Sequence, residues 1–313
     1  MGTNNTVYVD SDKPDDLRRR HLYDGQIFLF TPTATTTALC DFAAQLIEDA
    51  FAPLAPATAQ FEMPVERFVE IFAPLKPRYM HHPETRRLLR QVFADFGCDP
   101  EQTFFDVPKL RGVTSNDYLT AGVGYAHPPH RDTWWSAPLA QLNWWMPIYG
   151  IESENSFAFH PRSWSEGMKN HSEDFNYYEW NAVGRAQAAR HTHTDNRKQP
   201  HPPANFDPEP QLRFVVPRGG LVVFSSAQLH STVRNTSGRT RFSTDFRTVN
   251  LADLRAGLGA PNIDSQPQGT SLRDFHRASD SSVIPEEVVA AYDHGEHPEG
   301  GVLVFAPPSG PSA

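Results

Sequence analysis

The segment GYAHPPHRDTWW, residues 124–135, encloses the triplet His130-Arg131-Asp132. On an extended backbone, two side chains separated by one residue project to the same side. An imidazole and a carboxylate so placed offer two ligands to a divalent metal. A second imidazole from elsewhere completes the two-His-one-carboxylate set of a non-haem iron(II) centre, with the opposite face open. The pattern is short, and it recurs as His193-Thr194-Asp195 and, with glutamate, as His171–Glu173 and His294–Glu296. Surroundings select among the copies. His130–Asp132 lies between the apolar runs YLTAGVGYAH and AQLNWWMPIY, which predicts a strand end. The copy at 193–195 lies in RHTHTDNRKQPHPP, where His191, His193 and Asp195 suit a polar loop or, at most, a surface metal.

The second imidazole is best placed at His230, which closes GGLVVFSSAQLH. Eleven residues beyond it stands Arg241, followed by Ser243 in HSTVRNTSGRTRFS. An arginine presents a rigid fork that grips a carboxylate through two bonds. A serine two residues along the same strand shares its face and adds a third. Arg241 and Ser243 therefore form a candidate clamp for a carboxylate-bearing cosubstrate.

Taken together these residues resemble the iron(II)/2-oxoglutarate-dependent dioxygenases, and most closely their phytanoyl-CoA dioxygenase-like branch. The resemblance rests on HRD at 130–132, PRSW at 161–164, PRGGLVVF at 217–224, and His230, Asn235, Ser237 and Arg241, and it covers roughly residues 102–250. Arg162 and Trp164 replace the Gly and His of the branch's PGSH-like element, and Gly220 stands where an Asp is usual. The resemblance implies Fe(II) held by His130, Asp132 and His230. It implies 2-oxoglutarate held through its 5-carboxylate by Arg241 and Ser243, and O2 as the oxidant. Related halogenases have Gly or Ala in place of the carboxylate, so Asp132 points to hydroxylation or a related oxidation. The expected substrate is a small molecule: an amino acid, a nucleoside or a natural-product intermediate in a biosynthetic route. A non-catalytic cupin-like binding protein and a metal enzyme that does not use 2-oxoglutarate are the alternatives. The clamp argues against the first, and succinate release separates the second.

Further candidates surround this set. Gln141 and Asn143 alternate on the next run, share a face, and are candidates to bond the cosubstrate. Trp134 and Trp135 follow the ligands directly, and one of them is expected to line the substrate pocket. Lys109 and Arg111 could meet an acidic group of the substrate. His127 reads as packing near the ligands rather than as a ligand.

These residues need elements to position them. Apolar spacing predicts a helix over 35–51 capped by Thr35 to Thr37, and helices over 64–74 and 83–97, the last closed by Gly97. Residues 1–20 read as a loose arm and 21–31 as a strand. Strands are expected in TFFDVPKLR, YLTAGVGYAH, AQLNWWMPIY, SFAFH, LRFVVP, LVVFSS and TRFSTDFRTVN, with HSTVRN leading into the last. Strands without alternating long helices exclude a Rossmann-type sheet. They favour a mainly β protein with flanking helices, its core a double-stranded β-helix of the jelly-roll, cupin-like kind. The expected organisation is one domain. It has a helical layer over 21–101, a β core over 102–250 interrupted by an insertion at 161–210, and an extension over 251–313. The insertion carries a helix-like piece, NAVGRAQAAR, and the extension another, PEEVVAAYDH.

Of 313 residues, 39% are hydrophobic and 21% charged, which suits a globular chain able to bury a large core. A net charge of −9 argues against nucleic acid and anionic membranes as partners. The N-terminus is no signal peptide, no run approaches transmembrane length, and Cys40 and Cys98 read as reduced structural thiols, so a cytoplasmic location is expected. The sequence leaves the oligomeric state open.

Overall fold

The computed structural model describes residues 6–184 and 199–295. Its strands are β1 (Val7–Val9), β2 (Ile27–Phe30), β3 (Thr103–Phe105), β4 (Lys109–Val113), β5 (Leu142–Pro147), β6 (Phe157–Phe159), β7 (Leu212–Arg213), β8 (Leu221–Ser225), β9 (His230–Thr232), β10 (Arg241–Asn250) and β11 (His276–Arg277). Eight of them build one sheet in the order β1-β2-β8-β5-β10-β3-β11, with β4 also paired to β10. A three-stranded sheet, β7-β6-β9, forms the second layer. From β5 to β10 the chain passes from the large sheet to the small one and back twice. This is the winding of a double-stranded β-helix, flanked here by helices.

The spine of the large sheet is β10, which pairs antiparallel with β5 along one edge and with β4 and β3 along the other. Its period-two pattern assigns the faces. Phe242, Thr244, Phe246 and Thr248 turn to the back, where α2 (Ala34–Phe51), α3 (Val65–Met80) and α4 (Pro83–Asp95) pack. There Phe242 meets Phe72 and Phe51, and Tyr79 donates to the Thr244 hydroxyl at 3.0 Å. Trp144 of β5 stacks on Phe246, meets Phe93 and Phe96 edge-on, and donates to the Thr248 hydroxyl at 2.9 Å. The other face carries Arg241, Ser243, Asp245 and Arg247 toward the space between the sheets. Such polar side chains on a buried face mark that space as a site rather than a core.

Several expectations are corrected. Helix α2 is capped by Thr33, not by Thr35 to Thr37: Thr33 is extended, its hydroxyl accepts from the Thr36 amide, and the two residues form a reciprocal capping box. Helix α3 does not stop at residue 74. It runs to Met80 through Pro74 and Pro77, because Leu75 and Tyr79 are buried against the sheet. Packing here outweighs the cost of two interior prolines. YLTAGVGYAH is not a strand but a looped segment, with Gly122 at φ +74° and the Thr114 hydroxyl bonded within the loop to the Leu119 amide and the Gly124 carbonyl. The arm at 1–20 contains β1 and the helix α1 (Asp15–Tyr23), whose end takes the first part of the strand expected over 21–31. TFFDVPKLR splits into β3 and β4, and LRFVVP is strand only at Leu212–Arg213. Of NAVGRAQAAR, residues 181–184 close a π-helical turn and the rest lies outside the described residues, as do His191, His193, Asp195 and Glu296.

Trp144 is 1% exposed and holds the back of the sheet to α4. Trp144→Ala is expected to cost about 3–5 kcal/mol, measured by urea unfolding. A loss below about 1 kcal/mol would show that this face is not the core.

Candidate active site

Neither His130 nor Asp132 sits on a regular strand. His130 is held instead by an isolated antiparallel bridge to His230 of β9, in which each residue's amide donates to the other's carbonyl, at 2.8 and 2.9 Å. Paired residues in an antiparallel ladder turn their side chains to the same side, and the two imidazole centroids stand 4.3 Å apart. The amide of Asp132 donates to the Ser226 carbonyl at 2.9 Å, which places its side chain beside them. Ligand atoms from His130, Asp132 and His230 all lie within 4.8 Å of one another.

The ring orientation follows from the backbone. Nδ1 of His130 is 2.7 Å from the Pro128 carbonyl, and Nδ1 of His230 is 3.0 Å from the Gln228 carbonyl. A carbonyl only accepts, so each Nδ1 carries a proton and each Nε2 is the atom left to ligate. Both Nε2 atoms face Oδ1 of Asp132, at 3.5 and 3.9 Å. Burial, reinforced by the neighbouring His130, pushes the His230 imidazole down to about 4, so it stays neutral and ready to ligate. Burial works against the Asp132 carboxylate, yet His130, His230 and Asn143 together hold it down to about 2.

Gln141 and Asn143 come to the site, but they act on Asp132. Asn143 donates to its Oδ2 at 2.9 Å, and Gln141 reaches Oδ2 at 3.4 Å and Asn143 at 3.0 Å. Tying Oδ2 leaves Oδ1 for a metal, the orienting role that a ligating carboxylate needs. Arg247, six residues beyond Arg241 on the same face of β10, stands 3.5 Å from the same oxygen. Its place was readable from the strand's alternation but was missed.

At the opposite end of the inward row, Arg241 is 5% exposed and Ser243 fully buried. One guanidinium nitrogen donates to the carbonyls of Asn155 and Ser156, at 3.3 and 3.2 Å, and the guanidinium lies over the Trp145 ring. Among the described residues, Arg241 Nε and the Ser243 hydroxyl have no hydrogen-bond partner. Burial lowers the Arg241 guanidinium to about 10. A buried cation without a carboxylate, next to a buried hydroxyl without a bond, is costly unless a ligand completes it. A carboxylate fits both atoms.

Between these ends lies a cavity of about 460 Å³ that includes the three candidate ligand residues, Arg241, Lys109 and Arg111 in its lining. Arg111 is already paired with Asp245, at 2.7 and 3.2 Å, and Lys109 with Asp106 at 3.3 Å. The two tryptophans diverge. Trp135 lines the cavity, edge-on to His130 at 5.0 Å. Trp134 is turned away from the substrate side: it is fully buried and donates to Asp264 at 2.8 Å. The reason is Arg131, 1% exposed, which donates to the Ser163 and Ala227 carbonyls and pairs with Asp264, so the triplet's middle residue points into the body of the fold. His127, tilted against the Tyr125 ring, lines the wall and is not among the clustered ligands. Trp164, in place of the PGSH histidine, is buried against Gly25 and lies off the cavity lining.

The cavity also takes residues that the sequence did not suggest. Phe175, Tyr177 and Trp180 continue an aromatic wall from Trp135, and Lys76 enters from α3. The Lys76 amine is pushed down to about 7, mainly by burial and next by Arg111.

No family model matches the chain, and no curated protein matches it. Among solved structures it is similar to EvdO2 from Micromonospora carbonacea var. aurantiaca complexed with 2-oxoglutarate, at 13% identity over 77% of this chain and 93% of that one, with a TM-score of 0.43. It is similar to the non-heme alpha ketoglutarate dependent epimerase SnoN from nogalamycin biosynthesis, at 12% identity over 76% and 84% of the two chains, TM-score 0.36. AviO1 from Streptomyces viridochromogenes Tue57 matches at 13% identity over 76% and 96%, TM-score 0.37. Among the described residues no helix is long and apolar enough to cross a membrane.

Because Asn143 ties Oδ2 of Asp132 and leaves Oδ1 free to ligate, Asn143→Leu is expected to weaken metal binding by about 10–100-fold. Titration calorimetry with Mn(II) checks this, and an unchanged affinity would remove Asn143 from the site's support.

Proposed function

We propose that the protein is an Fe(II)/2-oxoglutarate-dependent oxygenase that oxidises a small organic molecule. The observation that carries this reading is the unsatisfied pair, Arg241 Nε and the Ser243 hydroxyl, buried in the same inward row as the residues around the His130–Asp132–His230 cluster. A metal-binding protein without a cosubstrate has no use for a dry carboxylate clamp.

The donor set suits iron(II): two imidazoles, one carboxylate, and room on the cavity side. When bound, iron(II) lets O2 react with 2-oxoglutarate, giving succinate, CO2 and the oxidising power to attack a C–H bond. The chain's own residues do the positioning. His130, His230 and Asp132 would hold the metal, and Asn143 and Gln141 keep Asp132 turned toward it. Arg241 and Ser243 would bind the 5-carboxylate of 2-oxoglutarate, and Trp145, Phe157 and Phe224 supply apolar walls around it. Asp132 fills the third ligand position, which supports oxygenation over halide transfer. The substrate would enter past Trp135 and the aromatic wall. A reaction confined to the space between two sheets suits a small molecule rather than a polymer.

Under anaerobic conditions, Fe(II) and 2-oxoglutarate together are expected to give a visible charge-transfer band. Arg241→Gln should raise the Kd for 2-oxoglutarate by about 10–100-fold, the worth of a charge-assisted bond pair, while Mn(II) binding stays intact. Equal 2-oxoglutarate affinity in the wild type and Arg241→Gln would overturn the assignment of the clamp.

A further inference from the structure

Helix α3 crosses the outer side of β4, which among the described residues pairs only with β10. The crossing is close because Gly112 has no side chain. A Cβ there would stand 2.8 Å from the Phe72 ring. Lys76 lies one turn beyond Phe72 on the same face of α3, with its amine 5.4 Å from the Phe72 ring centroid. That turn exists only because the helix continues past Pro74. Lys76 is thereby carried over the edge of the sheet into the cavity, beside Arg111.

Its surroundings set it apart from the cavity's other cations. Arg111 is bonded to Asp245, Lys109 pairs with Asp106, and Arg247 pairs with Asp106 at 2.7 Å. Among the described residues Lys76 has no hydrogen bond and no ion pair. The carboxylate that acts on it is Asp245, already gripped by Arg111. Nor does Lys76 share the clamp's contacts: the Arg241 guanidinium reaches the Asn155 and Ser156 carbonyls and lies over the Trp145 ring, whereas the Lys76 amine lies over the Phe72 ring. Among the described residues the cavity therefore holds two cations without an ion pair, and the clamp accounts for one.

We propose that Lys76 anchors an acidic group, a carboxylate or a phosphate, on the molecule that is oxidised. The inference rests on the oxygenase reading for the word "oxidised", and on the cavity alone for the anion subsite. The rest of the molecule would lie along the rings of Tyr125, His127, Trp135 and Phe175. The first two meet at a tilt with centroids 4.5 Å apart, His127 leads to His130 at 5.9 Å, and Trp135 meets Phe175 at 6.5 Å. This wall runs from the Lys76 side of the cavity past the metal ligands, so an acid bound at Lys76 has its apolar body laid across the reactive position. An arriving anion also returns the amine to its charged form, since an opposite charge offsets the burial that drives it neutral.

The test uses the full-length protein loaded with Mn(II) and 2-oxoglutarate without oxygen. Binding of 2-naphthoate, 2-naphthyl phosphate and neutral 2-naphthamide is followed by titration calorimetry. At least one acid is expected to bind about tenfold or more tighter than the amide. Lys76→Met should abolish that preference, Lys76→Arg should restore it, and the 2-oxoglutarate affinity should be the same in all three proteins. Which acid wins distinguishes carboxylate from phosphate. Equal binding of acids and amide overturns the proposal, as does failure of both acids to bind at millimolar concentration. A preference that survives in Lys76→Met overturns it too. A loss of 2-oxoglutarate affinity in Lys76→Met, with Lys76→Arg normal, would reassign the lysine to the cosubstrate. Absent 2-oxoglutarate binding in the wild type, with the acid preference intact, would remove the oxygenase reading and leave the anion subsite standing.

Discussion

The two hydrogen bonds exchanged between the backbones of His130 and His230 govern the site. They fix both imidazoles on one side at a set spacing, with no help from the side chains themselves. Carbonyls of the neighbouring residues then choose the tautomers, and Asn143 chooses the oxygen that Asp132 presents. Each control is a short hydrogen bond from a strand or a rigid loop. The ligand set is therefore preorganised by the fold, as a site of open coordination requires.

The division of labour across the large sheet follows from one alternating sequence. RFSTDFRTVN sends Phe242 and Phe246 to the helices, and Arg241, Ser243, Asp245 and Arg247 to the cavity. The back face supplies apolar burial, and the front face is free to hold charge. Where cation and carboxylate meet there, as at Arg111 and Asp245, they offset one another's burial. Where they do not, as at Arg241, the imbalance marks a place for a ligand rather than a contribution to stability.

Much of this was legible in the chain. The strands with clear alternation or continuous apolar runs, β5, β8 and β10, sit where their patterns put them. His130 and Asp132 from one triplet meet His230, a hundred residues on. What the sequence hid was decided by tertiary packing. No local signal tells a prolyl helix to continue, so Lys76 stayed invisible until Leu75 and Tyr79 were seen buried. Neighbouring Trp134 and Trp135 look alike as letters. Only the pull of Asp264 on one indole, distant in sequence, separates core from cavity. YLTAGVGYAH has the composition of a strand, but its glycines and the Thr114 hydroxyl give the backbone a looped alternative.

The pairing of His130 with His230 has a thermodynamic side as well. The chain between them includes β5, the whole small sheet except β9, and β8. A cation shared by the two imidazoles and Asp132 closes that stretch into a ring, which restricts the unfolded chain much as a cross-link does. The helices and the back of β10 lie outside the ring, and Trp144 and Val223 tie β5 and β8 into the core that they share. Loss of such a cation would loosen the small sheet first, packed as it is in a smaller cluster around Phe157 and Phe159, while β5 and β8 stay anchored to the helix-backed core.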